Sequence, residues 1–242
     1  MTDAVPRLED LSIKVFADGA DLDSIFAAYE NKWVRGFTTN PTLMAKAGIT
    51  NYLRFAREVL RVITDLPVSF EVFADDIESM RRQAGILADL APNVYVKIPV
   101  TNTQSVPCAP LVKDLAAAGL KLNITALFTE TQIIDIANAL HPDVPAIVSV
   151  FAGRIADSGR DPIPHMQRAL EILRPLPQAE LLWASPREPL NILQADAIGC
   201  HIITVTPEFI EKARNFGKTL EQFSLETVQM FYRDAQRSGF TL

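Results

Sequence analysis

The amino-acid sequence predicts a single closed barrel of eight parallel strands, each followed by a helix. Short apolar runs alternate with longer amphipathic segments along the chain, which is typical of parallel sheets with right-handed helical crossovers. Eight such units within 242 residues match the size of a (β/α)8 barrel. An open doubly wound sheet is the alternative, but such a sheet usually carries a glycine-rich turn after its first strand, and Asp18-Gly19-Ala20 is not one.

The predicted strands are rich in β-branched and other large apolar residues, as strands buried on both faces of a parallel sheet usually are. They cover residues 13–16, 36–39, 68–73, 94–98, 122–126, 146–151, 181–184 and 202–205. In the fourth strand, Lys97 interrupts a run that is otherwise almost entirely apolar. The fold alone gives no reason for a lysine at that position.

Helices are predicted between the strands from their apolar spacing and from residues that favour helix ends. Pro41 and Pro207 suit a first helical turn, the acidic start at Asp76 suits the helix dipole, and Gly119 suits a helix end. The helices cover residues 21–29, a short segment from 41, then 52–63, 76–90, 110–118, 130–139, 164–173, 189–197 and a segment from 207, with a polar loop over 156–161.

The segment 220–240 has apolar residues at helical spacing, although the eight units do not need it. It would either cover the base of the barrel or pack on a neighbouring subunit. No repeat or linker separates it from the rest of the chain. We therefore predict one domain, with a barrel over about 12–219 and a helical tail over about 220–242.

The composition indicates a soluble globular protein without a nucleic-acid or membrane partner. Apolar residues make up 48% of the chain and charged residues 21%, and the net charge of −6 comes from acids and bases mixed along the sequence. No apolar run reaches the roughly 18 residues of a membrane helix, and the polar segment 1–10 is unlike a signal peptide. Cys108 and Cys200 lack metal-ligand spacing and are predicted to be free thiols, so we expect a cytoplasmic location.

Polar side chains mark the ends of seven predicted strands, which is where (β/α)8 barrels hold their active sites. In chain order they are Asp18; Thr38, Thr39 and Asn40; Glu71; Lys97; Asn123 and Thr125; Ser149 and Arg154; and Ser185 and Arg187. One lysine among two carboxylates, several amides and hydroxyls, and two arginines fits imine chemistry. The lysine would attack a carbonyl, the carboxylates would move protons, the amides and hydroxyls would hold a polyol, and the arginines would bind a phosphate or another anion.

Several of these residues also have a purely structural explanation. Lys97 could lie along the barrel wall with its amine in solvent, and Asp18 could cap a helix. Asn40 could form an Asx turn, and Arg154 could be a surface charge. Glu71 is harder to explain in this way, because it lies inside a predicted strand, where an unpaired carboxylate costs several kcal/mol.

Five segments together resemble the transaldolase family. Residues 36–44, Gly-Phe-Thr-Thr-Asn-Pro-Thr-Leu-Met, resemble its strand-two motif, and residues 96–101, Val-Lys-Ile-Pro-Val-Thr, resemble its Schiff-base motif. Residues 16–18, 122–129 and 149–154 are similar to its first-, fifth- and sixth-strand segments. The order and spacing agree from about residue 13 to 206, and the likeness is to the short members, a group that includes fructose-6-phosphate aldolase.

The resemblance implies a role for every strand-end residue except Thr39. Lys97 would form an imine with the donor ketose, and Asp18 would be the general base as the carbon–carbon bond breaks. Glu71 and Thr125 would hold the water that shuttles protons during imine formation. The remaining residues would bind substrate: Asn40, Asn123 and Ser149 at the hydroxyls of the dihydroxyacetone unit, Thr38 and Phe151 beside them, and Arg154, Ser185 and Arg187 at the phosphate.

Three positions separate two activities within that group. By resemblance, transaldolases carry glutamate, phenylalanine and serine where fructose-6-phosphate aldolases carry glutamine, tyrosine and alanine, and this chain has Glu71, Phe151 and Ser149. We therefore expect a transaldolase that moves a dihydroxyacetone unit from a ketose phosphate to an aldose phosphate. The alternatives are an aldolase that handles free dihydroxyacetone, a transaldolase for a deoxy or sulfo sugar, and a non-catalytic sugar-phosphate-binding protein.

The resemblance also implies sugar phosphates as the small-molecule partners, a homo-oligomer, and no metal or other cofactor. The chain departs from the family pattern at the mouth of the expected site. Pro186 stands where an aromatic residue is usual, and the segments 102–110 and 157–161 differ as well. These departures concern the recognition of the acceptor and of the anion more than the imine chemistry.

Overall fold

The computed structural model describes residues 5–239, and its centre is a closed barrel of eight parallel strands. The strands follow one another around the barrel in sequence order, and the first pairs with the last. They are β1 (Lys14–Asp18), β2 (Val34–Thr38), β3 (Val68–Glu71), β4 (Val94–Pro99), β5 (Leu122–Leu127), β6 (Ala146–Val150), β7 (Ala179–Trp183) and β8 (Ile202–Val205). The predicted (β/α)8 barrel is confirmed, and the open doubly wound sheet is wrong for this chain.

Helices follow every strand, and two of them follow β2, β6 and β8. They are α1 (Leu22–Tyr29), α2 (Pro41–Lys46), α3 (Tyr52–Val62), α4 (Ile77–Ala88), α5 (Ala109–Ala117), α6 (Glu130–Ala139), α7 (Ala152–Asp157), α8 (Pro162–Leu173), α9 (Leu190–Ala197), α10 (Pro207–Ala213) and α11 (Leu220–Ser238). The predicted polar loop over 156–161 is partly wrong, because α7 continues to Asp157. This helix buries Ala152 and Ile155 but has only six residues, too few to give a clear periodic pattern in the sequence.

The third strand ends at Glu71, whereas the sequence predicted that it would continue to Phe73. The backbone N–H groups of Phe73 and Ala74 donate to Oε1 of Gln83 on α4, at 2.7 and 2.9 Å, instead of to a neighbouring strand. A helix side chain therefore ends the strand, and Glu71 lies on the rim of the barrel. The other strand ends differ from the predicted ones by at most two residues.

Large apolar side chains fill the interior of the barrel beneath that rim. Phe16, Ile147, Leu182 and Ile202 are nearly inaccessible to solvent and pack together there. Gly36 lies so close to Phe16 that a Cβ atom at this position would be 2.5 Å from Cζ of the ring, so a larger residue would force the buried ring to shift. Because side chains alternate along a strand, Phe16 and the residue two positions later, Asp18, face the same side, so the ring lies below Asp18.

The tail helix α11 leaves its apolar residues in solvent. No residue of this helix is buried within the described part of the chain, and Leu220, Val228, Phe231 and Tyr232 are each more than half exposed. The first alternative, that the tail covers the base of the barrel, is therefore wrong. Docking on a neighbouring subunit stays a prediction, and Phe240, the last residue of the predicted tail helix, lies outside the described residues.

None of the helices within residues 5–239 combines the length and the apolar character that a membrane span requires.

Candidate active site

A cavity of about 680 Å³ opens at the C-terminal ends of the strands. Twelve of the thirteen side chains that the sequence analysis named for the site line this cavity: Asp18, Thr38, Asn40, Glu71, Lys97, Asn123, Thr125, Ser149, Phe151, Arg154, Ser185 and Arg187. The exception is Thr39, whose hydroxyl donates to the backbone oxygen of Ser69 at 2.9 Å. The closed barrel brings them together although they span most of the sequence. The lining also includes Lys46 and Thr204, which the sequence analysis did not single out.

Lys97 on β4 points into the barrel and is only 7% exposed. Its Nζ lies 3.1 Å from Oε2 of Glu71 and donates a hydrogen bond to the backbone oxygen of Thr39 at 2.9 Å. The register of β3 and β4 places Glu71 and Lys97 side by side, so the ion pair follows from the strand alignment. Lys97 thus does not reach along the wall to solvent, and a proton acceptor lies beside its amine.

Tyr52 on α3 fixes the backbone at Glu71. The N–H group of Glu71 donates to the Tyr52 hydroxyl at 2.7 Å, and the Tyr52 ring packs edge-on against Phe70 and Phe73. Burial raises the pKa of the Tyr52 phenol well above its usual range, so the hydroxyl keeps its proton. The carboxylate that pairs with Lys97 is therefore attached to a rigid segment.

Asp18 at the end of β1 is the second carboxylate of the site. Its Oδ1 accepts from Oγ1 of Thr38 at 2.8 Å, and its Oδ2 accepts from Nδ2 of Asn40 at 3.2 Å. Burial raises the pKa of the Asp18 carboxyl, and the Lys97 charge and these two hydrogen bonds offset only part of that effect. Asp18 is not a helix cap, since Asp21 caps α1.

Asn40 caps a helix and also contacts a carboxylate of the site. Its Oδ1 accepts from the backbone N–H of Leu43 at 2.9 Å and so caps α2, as the Asx-turn alternative expected. Its Nδ2 faces the opposite way and donates to Asp18. The cap fixes the side-chain orientation, and this orientation aims the amide at the carboxylate.

Behind Lys97, three buried polar side chains form a chain of hydrogen bonds. Ser149 Oγ donates to Oδ1 of Asn123 at 2.7 Å, and Nδ2 of Asn123 donates to Oγ of Ser69 at 3.0 Å. Asn123 is completely buried and lies next to Lys97 in the β4–β5 register. One amide hydrogen of Asn123 remains for a ligand, because these contacts use only one of the two.

The two arginines lie at the mouth of the cavity in different settings. Arg154 is exposed, and its guanidinium carbon lies 5.5 Å from the centroid of the Phe151 ring. Arg187 binds Asp157 with two hydrogen bonds, Nε to Oδ1 at 2.7 Å and Nη2 to Oδ2 at 2.5 Å. Arg187 Nη1 donates to the backbone oxygen and to Oγ of Ser185, at 2.9 and 3.0 Å. The Arg187 contact lowers the pKa of the Asp157 carboxyl.

Besides Tyr52 and Ser69, sequence reasoning missed three further polar residues that bear on the site. Thr204 Oγ1 lies 2.5 Å from Oγ1 of Thr38, the residue that donates to Asp18. A polar residue within the apolar strand Ile202–Val205 was an available signal. Lys46 is an exposed cation at the end of α2, with no distinguishing pattern around it. Asp157 had no local signal, because its partner is thirty positions away.

A second cavity, of about 460 Å³, lies at the opposite end of the barrel and lacks such a constellation. It is lined by Lys14 and Lys121 among others. Lys14 pairs with Glu180 at 2.7 Å with half of its side chain in solvent, and Lys121 donates to the backbone oxygen of Pro92. Neither lysine is desolvated in the way that Lys97 is, so the C-terminal rim is the candidate active site.

Comparison with known proteins identifies the family of the chain. Residues 15–242 match the family model described as transaldolase/fructose-6-phosphate aldolase. The proteins named "Probable transaldolase" from Thermoanaerobacter sp. (strain X514) and Rhodospirillum centenum are 34% and 33% identical to this chain, over 194 and 229 residues. These alignments cover 80% and 94% of this chain and 85% and 93% of the two relatives.

Among solved structures, 2,3-dimethylmalate lyase is similar with a TM-score of 0.52 and 11% identity, over 96% of this chain and 84% of that one. A dihydrodipicolinate synthase family protein from Coccidioides immitis is similar with a TM-score of 0.57 and 15% identity, over 83% of this chain and 68% of that one. At these identities the likeness concerns the fold alone. The family model and the relatives, in contrast, extend over nearly the whole sequence, and the chain belongs to the transaldolase/fructose-6-phosphate aldolase family.

Proposed function

We propose that this protein is a transaldolase that moves a dihydroxyacetone unit from a ketose phosphate to an aldose phosphate through a Schiff base on Lys97. The observation that carries the proposal is the buried Lys97, whose amine lies 3.1 Å from Glu71 in the same cavity as Asp18. A nucleophilic amine, a proton acceptor and a second carboxylate in one desolvated site suit imine chemistry. A protein that only bound sugar phosphates would have no need for this set.

Imine formation begins when Glu71 takes a proton from the Lys97 ammonium. The neutral amine then attacks the C2 carbonyl of the ketose. The carbonyl oxygen receives one proton from the attacking nitrogen and a second from Glu71, and it leaves as water. Thr125, which lines the same wall of the cavity, helps to hold the water that carries protons between Glu71 and the departing oxygen. The product is a protonated imine that attracts the electrons released in the next step.

Cleavage of the carbon–carbon bond follows when Asp18 removes the proton from the C4 hydroxyl. The C3–C4 bond breaks, its electrons enter the imine to form an enamine, and the aldose phosphate departs. The enamine then attacks the acceptor aldehyde, and Asp18 returns the proton to the new hydroxyl. Because burial raises the pKa of Asp18, this carboxyl is a stronger base than an exposed aspartate and can both take and return a proton.

Transfer is favoured over release of free dihydroxyacetone by the residue at position 151. The phenyl ring of Phe151 packs at 5.8 Å from Phe128 and lines the cavity, and it has no proton to give to the enamine. A tyrosine hydroxyl at this place could supply that proton. The enamine is therefore not protonated and persists until an acceptor aldehyde binds. The family description covers both activities, so the rival is an aldolase, and turnover of free dihydroxyacetone without an acceptor would support it.

The decisive experiment is borohydride trapping with a panel of ketose phosphates, followed by intact-mass and peptide mass spectrometry. We expect a substrate-dependent mass gain on the peptide that contains Lys97, lost in Lys97→Ala and retained in Lys121→Ala, a matched control at the other end of the barrel. A gain on a different lysine would overturn the mechanism. No gain with any ketose, in a protein that also fails to transfer, would favour the binding-protein alternative.

We further propose that the reaction needs no metal, so that activity should survive dialysis against a chelator. The free thiols of Cys108 and Cys200 suit a reducing compartment, and we propose a cytoplasmic location.

The exposed apolar residues of α11 support a homo-oligomer in which this helix packs on a neighbouring copy. Light scattering of the full chain and of a chain ending at Lys218 would test this, since the shorter chain should dissociate.

A further inference from the structure

We propose that Tyr52 is a positioning residue for Lys97. Its hydroxyl removes the backbone N–H of Glu71 from the hydrogen bonding between β2 and β3, and this leaves the backbone oxygen of Thr39 to hold the Lys97 amine. Tyr52 lies on α3, behind the strands, and is not among the residues that line the cavity. This role rests on the proposed function, in which Lys97 is the nucleophile.

The hydrogen bonds between β2 and β3 stop one step early. The two strands are paired at only two positions, the last of which joins Thr38 to Ser69. The backbone N–H of Thr39 then donates to the backbone oxygen of Ser69 at 3.3 Å. In a parallel sheet, the next bond of this series would join the N–H of Glu71 to the backbone oxygen of Thr39. The N–H of Glu71 donates instead to the Tyr52 hydroxyl at 2.7 Å, so a helix side chain replaces the strand as the acceptor.

The backbone oxygen of Thr39 is therefore available to Lys97. The Lys97 Nζ donates to this oxygen at 2.9 Å and lies 3.1 Å from Oε2 of Glu71. Both contacts come from the ends of β2 and β3, directly beyond the last position at which the two strands pair. Each ammonium hydrogen that lacks a partner inside a protein costs free energy. The Thr39 carbonyl and the Glu71 carboxylate together thus fix the position of the amine.

Tyr52 is held rigidly in place. It is the first residue of α3, where Asn51 caps the helix by accepting from the backbone N–H of Arg54 at 3.0 Å. Its ring packs edge-on against Phe70 and Phe73, with centroid distances of 6.0 and 4.3 Å. The hydroxyl therefore cannot follow Glu71 if the end of β3 moves.

The Tyr52 hydroxyl also interacts with Thr39. Burial raises the pKa of the phenol, and hydrogen bonds with the Glu71 backbone and with the Thr39 side chain offset part of this effect. The Thr39 hydroxyl uses its only hydrogen to donate to Ser69, so its oxygen can accept the hydrogen of the phenol. A single hydroxyl thus contacts both residues that hold the Lys97 amine.

The test removes only this hydroxyl, in Tyr52→Phe, and measures how fast Lys97 forms an imine. The protein is mixed with dihydroxyacetone, excess borohydride is added at successive times, and mass spectrometry gives the fraction trapped on the Lys97 peptide. Dihydroxyacetone forms an imine without cleavage of a carbon–carbon bond, so the time course reports this step alone. We expect Tyr52→Phe to slow the step about threefold to tenfold, the effect of one lost hydrogen bond. The N–H of Glu71 would then compete with the amine for the Thr39 oxygen.

Tyr29→Phe is the matched control, because it also removes one phenol hydrogen bond, the 2.7 Å contact of Tyr29 with Asp65. This contact lies away from Lys97, so imine formation should keep its wild-type rate. If Tyr52 only stabilises the fold, Tyr52→Phe should lower the free energy of unfolding in urea but leave the rate of imine formation in the folded protein unchanged. That result would overturn the proposal.

A crystal structure of Tyr52→Phe provides a readout that does not depend on activity. We expect the backbone nitrogen of Glu71 to lie within hydrogen-bond distance of the Thr39 oxygen, with the Lys97 Nζ displaced from that oxygen. An unchanged separation of the two strand ends, with Nζ still on Thr39, would overturn the proposal.

A second variant serves if Tyr52→Phe does not fold. Incorporation of 3-fluorotyrosine at position 52 keeps the ring and the hydroxyl, but fluorine withdraws electrons and weakens the oxygen as an acceptor. Slower imine formation is again expected, and a wild-type rate would refute the role of Tyr52. No imine in the wild-type protein with any ketone would contradict the proposed function, whereas the crystal structure would still decide the role of Tyr52. The two proposals therefore fail separately.

Discussion

The ion pair of Lys97 and Glu71 should couple strongly in a double-mutant cycle of unfolding. At 3.1 Å, two unit charges attract by about 5 kcal/mol with an effective dielectric constant of about 20. Both side chains are largely removed from water, and their lost hydration offsets part of this attraction. We therefore expect a coupling energy of about 2–4 kcal/mol between Lys97→Met and Glu71→Gln.

The assay is urea unfolding followed by the fluorescence of Trp33 and Trp183. Trp183 is completely buried in β7 and should report global unfolding. Each single variant leaves one charge without its partner, so each should lower the free energy of unfolding markedly. The double variant should be more stable than the sum of the two losses predicts, because a neutral amide beside an apolar side chain leaves no unpaired charge.

Arg168 and Glu130 provide the comparison cycle, since their ion pair is 2.8 Å long but each side chain is half exposed. Solvent screens such a pair, and its coupling should be much smaller than that of Lys97 and Glu71. Equal coupling in the two cycles would refute the reasoning. It would mean that water reaches Lys97 in solution and that the desolvated amine on which the mechanism depends is absent.

Three further predictions concern the residues around the pair. Thr204→Val removes the hydroxyl that contacts Thr38 and should lower kcat/KM about threefold to tenfold in steady-state kinetics. Thr204→Ser keeps the hydroxyl and should retain activity. An equal loss of kcat/KM in the two variants would contradict a hydrogen-bonding role for Thr204. Burial raises the pKa of Asp18, so its ionisation costs stability once the pH rises through the folded-state pKa. Asp18→Asn should thus gain stability in urea unfolding at pH 8 but not near pH 4, and a gain independent of pH would argue against this cause. Phe151→Tyr should release dihydroxyacetone when no acceptor is present, and an unchanged product ratio would show that the hydroxyl cannot reach the enamine.

Much of the site could be predicted because, in a closed barrel, the place of a residue along a strand determines where it lies in the structure. Once eight strand–helix units are recognised, the residue at the end of each strand must lie on the same rim, whatever its distance along the chain. That reasoning placed Lys97, Glu71 and Asp18 in one cavity without any knowledge of side-chain contacts. The strand register then made the Lys97–Glu71 pair a consequence of the backbone.

What could not be predicted depends on the conformation of loops. Asp157 lies in a segment that the sequence analysis assigned to a polar loop, and its pairing with Arg187 requires two loops to meet at Gly153. The hydrophobic periodicity of the sequence does not indicate that two loops will be in contact. The end of β3 at Glu71 was missed for a related reason, because Gln83, a side chain of α4, takes the hydrogen bonds that a neighbouring strand would otherwise accept.

Some residues of the site are positioned by strands and others by the segments that follow the strands. This difference suggests how the site can change its substrate while it keeps its chemistry. Lys97 and Glu71 are held by neighbouring strands of a closed sheet, so a change in a loop leaves the distance between their charges intact. Arg187 lies in the loop after β7 and Asp157 is the last residue of the short helix α7, so their contact depends on segments outside the sheet that a single substitution can change. The unusual Pro186 beside Ser185 belongs to this second group. Differences in substrate between this chain and its relatives should therefore be sought in the loops after β6 and β7, while the imine chemistry proposed for Lys97 is expected to be retained.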